Sequence, residues 1–237
     1  MSPDGLHRCA IDHLVVMADT LHAGEAWCQR TLGVAPAAGG EHPLMGTHNR
    51  LINVSSESHP RAYLEIIAIH PGAKCARPLG AARWFDMDEA GLQQQVRQQG
   101  PQLIHWVASL PDVAAGHRAL AGLGIDRGEI LEASRPTPLG PLQWQITVRH
   151  DGQRLMDGQL PTLIQWADRH PCYSLPASGV ALRSLHLEHP EAPLLASACT
   201  AVGLGARVSI RHSAAPRMQA TFGTPRGTVV LQDGQPA

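Results

Sequence analysis

The chain has 237 residues, 43% of them hydrophobic, with a formal net charge of −1 and 14 histidines. That is ample material for a packed core and too much for a disordered chain. The balanced charge leaves no basic footprint for nucleic acid, and no window approaches the run of about 18 apolar residues that a membrane span needs.

Three segments open alike, which points to internal repeats. Each begins with an apolar strand carrying one histidine: Ile11-Asp12-His13-Leu14, Leu103-Ile104-His105-Trp106 and Ser184-Leu185-His186-Leu187. Each continues into a helical stretch that ends in Leu-Gly, at Leu32-Gly33, Leu123-Gly124 and Leu204-Gly205. These glycines suit the left-handed residue that closes a last helical turn. The histidine-to-glycine spacings are 20, 19 and 19 residues. Asp19 or Thr20 can cap the first helix and Asp112 the second.

After the first helix, strands are expected over 50–55 and 61–69. After the second they are expected over 130–133, 142–149 and 160–167, with turns at Glu41–Gly46, Asp151-Gly152 and Asp157-Gly158. The third repeat reads as a shorter unit: a strand over 182–188, a helix over 192–203, then strands near 206–211, 217–222 and 227–232. The predicted organisation is therefore a first βαβββ module (9–70), a helical connector (71–101), a second βαβββ module (102–168) and a third, partial repeat (180–233). The connector carries Arg83-Trp84-Phe85 and a Gln-rich helix that should lie across one sheet edge. The first ten residues lack the apolar stretch of a signal peptide. Cys9, Cys28, Cys75, Cys172 and Cys199 are odd in number and form no CxxC pair, so reduced thiols and a cytoplasmic setting are expected.

The fold class expected is α+β, a cupped mixed sheet with helices on its convex side. Strand side chains alternate between the helix side and the concave side. If Leu14 and Val16 meet the helix, His13 faces the cup. By the same parity Leu64 and Ile66 leave Glu65 in the cup, Ile104 and Trp106 leave His105, and Ile164 and Trp166 leave Gln165. The separations His13 to Glu65 and His105 to Gln165 are 52 and 60 residues. A pseudo-twofold would bring the four together. Histidine and glutamate are good ligands for a divalent ion, and a glutamine carbonyl is a weaker one. Glu65 could instead pair with Arg61 or Arg135. His186 shares the strand position, but its repeat offers only Gln232 at the matching end, so a structural role is assigned to it.

Taken together, Ile11–Val15, His42–Asn49, Tyr63–Ile67, Ser134-Arg135-Pro136, Leu142-Gln143-Trp144 and Leu160–Trp166 resemble the glyoxalase-like branch of the vicinal-oxygen-chelate superfamily. The likeness covers roughly residues 9–168. It implies paired modules that supply metal ligands from their first and last strands: here His13, Glu65, His105 and Gln165. The last position is often Glu in the family, and an amide cannot act as a carboxylate base. The resemblance further implies a divalent ion (Zn²⁺, Ni²⁺, Mn²⁺ or Fe²⁺) and a metal-dependent lyase or isomerase. Such an enzyme would bind a small oxygen-chelating substrate through an enediolate-type intermediate, with Glu65 moving the proton. A non-catalytic, resistance-type binding protein and an Fe-dependent dioxygenase are the alternatives.

Further cleft residues are His48 and Asn49, Arg135 as a bidentate partner for a substrate carboxylate, and Trp144 as an apolar wall. Their plainer readings are a turn cap for Asn49, a solvated loop arginine, and a tryptophan packed beneath a helix. The expected partners are a small-molecule substrate and a second copy of the chain in a homodimer, with no nucleic acid and no membrane.

Overall fold

A computed structural model describes residues 8–137 and 140–234. The first module runs β1 (Ala10–Met17), α1 (Leu21–Thr31), β2 (Ala37–His42), β3 (Thr47–Asn53) and β4 (Tyr63–Ile69). After α2 (Ala90–Gln99) the second runs β5 (Gln102–Ser109), α3 (Val113–Ala121), β6 (Glu129–Arg135), β7 (Leu142–Val148) and β8 (Thr162–Trp166). The third holds β9 (Ala181–His189), α4 (Ala192–Ala201), β10 (Ser209–His212), β11 (Arg217–Thr224) and β12 (Gly227–Gln232).

Local chemistry accounts for the helix ends. Thr20 and Asp112 accept from the backbone N–H of Ala23 and Ala115 at 3.1 and 2.8 Å, satisfying donors that a helix start leaves open. Gly33 and Gly124 take the expected positive φ, whereas in the third repeat Gly203 does so rather than Gly205.

The first two modules form one eight-stranded sheet in the order β2-β3-β4-β1-β5-β8-β7-β6. β1 and β5 pair antiparallel at its centre, and each is flanked in parallel by the last strand of its own module. This is the pseudo-twofold expected of tandem βαβββ units. The third repeat departs from it. It has all three strands after its helix, yet they form a separate sheet, β10-β9-β11-β12, in which β9 pairs in parallel with β10.

Two apolar clusters lie on opposite faces of the large sheet. On the convex face Leu14, Val16, Leu64, Ile66, Trp106 and Leu163 pack with Trp27 and Cys28 of α1 and Val113 and Leu120 of α3. The third module closes this layer with Leu185, Leu187, Met218 and Phe222. Each such side chain contributes roughly 1.5–3 kcal/mol by leaving water. The concave face carries Val15, Met17, Leu51, Ile67, Trp144, Ile146, Ile164 and Trp166.

The connector does more than cross a sheet edge. Trp84, Phe85 and Met87 enter the cup and join the concave cluster. Phe85 and Asp86 take left-handed φ values of 61° and 58°, which a non-glycine residue keeps only when its surroundings impose them. Arg154 imposes them here: its Nε meets Asp86 Oδ2 at 2.9 Å, and the Asp86 N–H donates to the Gly152 carbonyl at 3.0 Å. Gly152, at φ +72°, packs so closely on the Arg83 carbonyl that no Cβ fits between them. Among the described residues no helix is long and apolar enough to cross a membrane.

Candidate active site in the cup

β1 positions the site through a register shift against β5 between Ile11 and His13. A bulge at this point lets two successive side chains, Asp12 and His13, avoid the helix layer. Asp12 Oδ1 accepts from His13 Nδ1 at 2.7 Å. Its Oδ2 accepts from Trp166 Nε1 at 2.8 Å and from His170 Nε2 at 3.1 Å. His170 Nδ1 accepts from the Cys172 N–H, which leaves the His170 proton on Nε2. Burial alone would raise the Asp12 carboxyl, but the electrostatic pull of His170 and the bonds from both histidines outweigh it and hold it well below the usual carboxylate range.

With Nδ1–H given to Asp12, His13 turns Nε2 toward Glu65, 3.7 Å from Oε2. Tyr63, adjacent on β4, stacks on the His13 ring at 4.5 Å and 19°. Burial, then the charges of Asp12 and Glu65, push the Tyr63 phenol well up, so it stays protonated. Glu65 Oε1 accepts from Asn49 Nδ2 at 2.6 Å. Asn49 is itself fixed, because its Oδ1 accepts from the Gly40 N–H at 2.8 Å. The other Asn49 amide hydrogen faces His42 Nε2 at 3.3 Å, while His42 Nδ1 meets Thr47 Oγ1 at 3.0 Å. Burial, with the nearby Arg135 charge, pushes His42 down to about 3, so it is a neutral imidazole.

The resulting cavity is narrow, with about 30 Å³ open to a water-sized sphere. Tyr63, Trp84, Phe85, Trp144 and Trp166 wall it, and Arg135 lines it from β6. The large sheet curls until its two edges, β2 and β6, approach each other, and Arg135 lies over Gly40. A Cβ at Gly40 would stand 2.7 Å from Arg135 Nη1.

His13, Glu65, Asn49, Arg135 and Trp144 thus share one cavity, and the tryptophan is a wall. Three expected residues do not join them. Gln165 points to the helix side, where its Oε1 accepts from the Val113 N–H at 2.9 Å at the start of α3. Parity misplaces it because Ile164 and Trp166 belong to the cup cluster with Trp84 and Trp144, while Leu163 is the β8 residue that meets the helix side. His105 lies on the cup side beneath Phe85, at 5.1 Å, but both its nitrogens are engaged. Nδ1 meets the Gly158 carbonyl at 2.8 Å and Nε2 meets Thr162 Oγ1 at 2.9 Å. Burial, then the Arg127 charge, holds it well below the usual histidine range. His48 sits on the opposite face of β3 from Asn49, with its ring tilted against His70 at 4.7 Å. Asp12, His42 and His170 were not foreseen.

A family model described as a glyoxalase-like domain matches residues 11–203, and the chain belongs to that family, within the vicinal-oxygen-chelate superfamily. Among solved structures, a hypothetical protein from Staphylococcus aureus is 13% identical, with a TM-score of 0.57 over 94% of this chain and 85% of that one. A Streptomyces coelicolor methylmalonyl-CoA epimerase variant bound to 2-nitronate-propionyl-CoA is 17% identical, covering 65% of this chain and 94% of its own, at a TM-score of 0.39. A mutant 4-hydroxymandelate synthase from Streptomyces coelicolor is 11% identical, covering 95% of this chain and 63% of its own, at 0.44. At these identities the likeness is one of fold. No curated protein sequence matches the chain.

Proposed function

We propose that the chain is an isomerase- or lyase-type enzyme that moves a proton on the carbon next to a carbonyl, in a small substrate bearing a carboxylate. The observation that carries this reading is the meeting of Glu65, His13 and Arg135 in one narrow cavity. Asp12 fixes the His13 ring, Asn49 fixes the Glu65 carboxylate, and Trp84 and Phe85 wall the cavity. A buried carboxylate is costly without a partner. Glu65 has one fixed donor, Asn49, and faces an imidazole nitrogen whose lone pair is unclaimed when Nδ1 carries the proton. In this reading one proton rests on His13 Nε2, between the Asp12 and Glu65 carboxylates, so that Glu65 can take a proton from carbon while His13 gives one, which is general acid–base catalysis.

In this reading Glu65 takes the carbon-bound proton, and the electron pair of that C–H bond moves to the carbonyl oxygen. His13 gives its Nε2 proton to that oxygen while ionised Asp12 stabilises the ring. Arg135, which lines the cavity and whose guanidinium has no hydrogen bond or ion pair among the described residues, holds the carboxylate. Reversal on the other face of the carbon, or loss of a leaving group, completes the turnover.

The divalent ion implied by the resemblance does not fit the residues foreseen for it. His13 and Glu65 face each other, with Asp12 behind the histidine as metal-bound histidines often have. However, His105 is spent on Gly158 and Thr162, and Gln165 caps α3. Among the described residues no group of three or more His, Cys, Asp or Glu side chains could hold an ion. No step is therefore routed through a metal.

The test is deuterium exchange. Chelator-treated protein is incubated in D₂O with enolisable 2-oxo carboxylates, and ¹H NMR follows the hydrogens next to the carbonyl. Exchange above the rate without enzyme supports the reading. No exchange across the set, or exchange that returns only on adding a divalent ion, overturns it.

A further inference from the structure

A second cavity, of about 300 Å³, lies between the β2–β3 turn and the outer edge of β6. Its walls are Pro43, Leu44, Met45, Trp84, Trp144 and Ile146, and Glu132 stands at its rim. It shares His42, Trp84, Trp144 and Ile146 with the Glu65 cavity, so the two adjoin.

Their sizes and chemistry differ. The inner cavity has room only for a small polar head and not for a ring. The outer one reaches the lower range of cavities that hold a whole small molecule. Its walls are apolar and aromatic. At the junction the His42 ring meets Trp84 edge-on at 5.0 Å and Trp144 at 6.3 Å, an arrangement that favours another flat ring. Trp84 Nε1 is buried and has no partner among the described residues, a donor left for an oxygen on the ligand. The outer walls carry no lysine or arginine, and the rim carboxylate of Glu132 repels a second anionic group. A phosphorylated tail therefore finds nothing to pair with there.

We infer that the outer cavity holds the body of the substrate, a flat apolar group such as an aryl ring, joined to the single carboxylate head received by the inner cavity. The identity of the head rests on the proton-transfer reading above; the body rests on the outer cavity itself.

The experiment compares binding of phenylpyruvate and pyruvate by calorimetry, in the whole chain and in Ala133→Trp. Ala133 lines the outer cavity from β6, and an indole there fills it. Burying a phenyl group predicts that the wild type prefers phenylpyruvate by roughly tenfold or more. Ala133→Trp should collapse that preference to within about twofold. Leu44→Asp, on the turn, repeats the test without adding bulk, so a misfolded Ala133→Trp does not leave the question open. Equal binding of the two acids by the wild type, or a preference that survives in a folded variant, overturns the inference. Deuterium exchange is read in parallel. Preferential binding without exchange of either acid sustains the aryl site and defeats the proton-transfer reading instead.

Discussion

Asp12→Asn is the most informative single substitution, because it keeps the shape of the hub and removes its charge. Asp12 receives three hydrogen bonds, from His13 Nδ1, Trp166 Nε1 and His170 Nε2. An asparagine can keep its oxygen toward Trp166 and His170. Its amide nitrogen then faces His13 Nδ1, so the imidazole must release the Nδ1 proton and carry it on Nε2. Each of the three bonds loses its charge-assisted share, about 1 kcal/mol apiece and about 3 kcal/mol together. For a chain of this size that lowers the melting temperature by roughly 6–12 °C. The more specific effect is chemical. The ring then carries only the Nε2 proton, and giving it to the substrate oxygen would leave an imidazolate, so exchange should fall on the order of 10²–10⁴-fold. ¹⁵N NMR reads the His13 tautomer directly, and thermal denaturation reads the stability. A variant that keeps the Nδ1–H tautomer, or retains exchange within about threefold of wild type, refutes the reasoning.

Other outcomes follow from the same geometry. His42 is pushed down to about 3 and His105 also lies well below its usual value, both through burial, whereas in the unfolded chain both protonate near pH 6.5. The unfolded state thus binds more protons below about pH 6.5, and stability should fall as pH drops, by up to about 2.7 kcal/mol per unit for the two. Melting temperatures measured from pH 7.5 to 5 check this. His42→Gln should roughly halve the slope, and a flat wild-type profile contradicts it. Gly152→Ala forces a Cβ onto the Arg83 carbonyl at a left-handed position, so it should cost about 2 kcal/mol or more and unseat Trp84, seen as a red-shifted tryptophan emission. Asn49→Ala leaves Glu65 Oε1 and the Gly40 N–H without their partner, and denaturant unfolding should show a loss of about 2–4 kcal/mol.

Strand alternation was enough to place His13 and Glu65 in the cup, because Leu14 and Val16 in β1 and Leu64 and Ile66 in β4 do face the helix side. It was not enough for β8. The rule assumes that only the helix side is apolar, and here Trp84, Phe85 and Met87 make the cup apolar as well. The signal for that plug was present in Arg83-Trp84-Phe85, where two large rings inside a connector need a place to be buried. Asp12 was hidden by the bulge, since simple alternation does not allow two successive residues to avoid the helix layer. His42 precedes a proline and reads as part of a turn, while β2 itself has the unpromising strand sequence Ala-Ala-Gly-Gly-Glu-His. Its glycines make sense only in three dimensions, where Asn49 crowds Gly39 and Arg135 lies over Gly40. The third repeat was legible as strands and a helix, but its pairing order was not, because register between short strands depends on which neighbour covers them.

The central claim is that Glu65 performs the proton transfer and does not merely shape the cavity. Glu65→Gln tests it most directly, with phenylpyruvate binding and deuterium exchange measured on the same preparation. The account predicts that the variant folds, binds the acid within a few-fold of wild type and loses exchange by about 10²-fold or more. A folded Glu65→Gln protein that binds the acid and exchanges its hydrogens at the wild-type rate would contradict it.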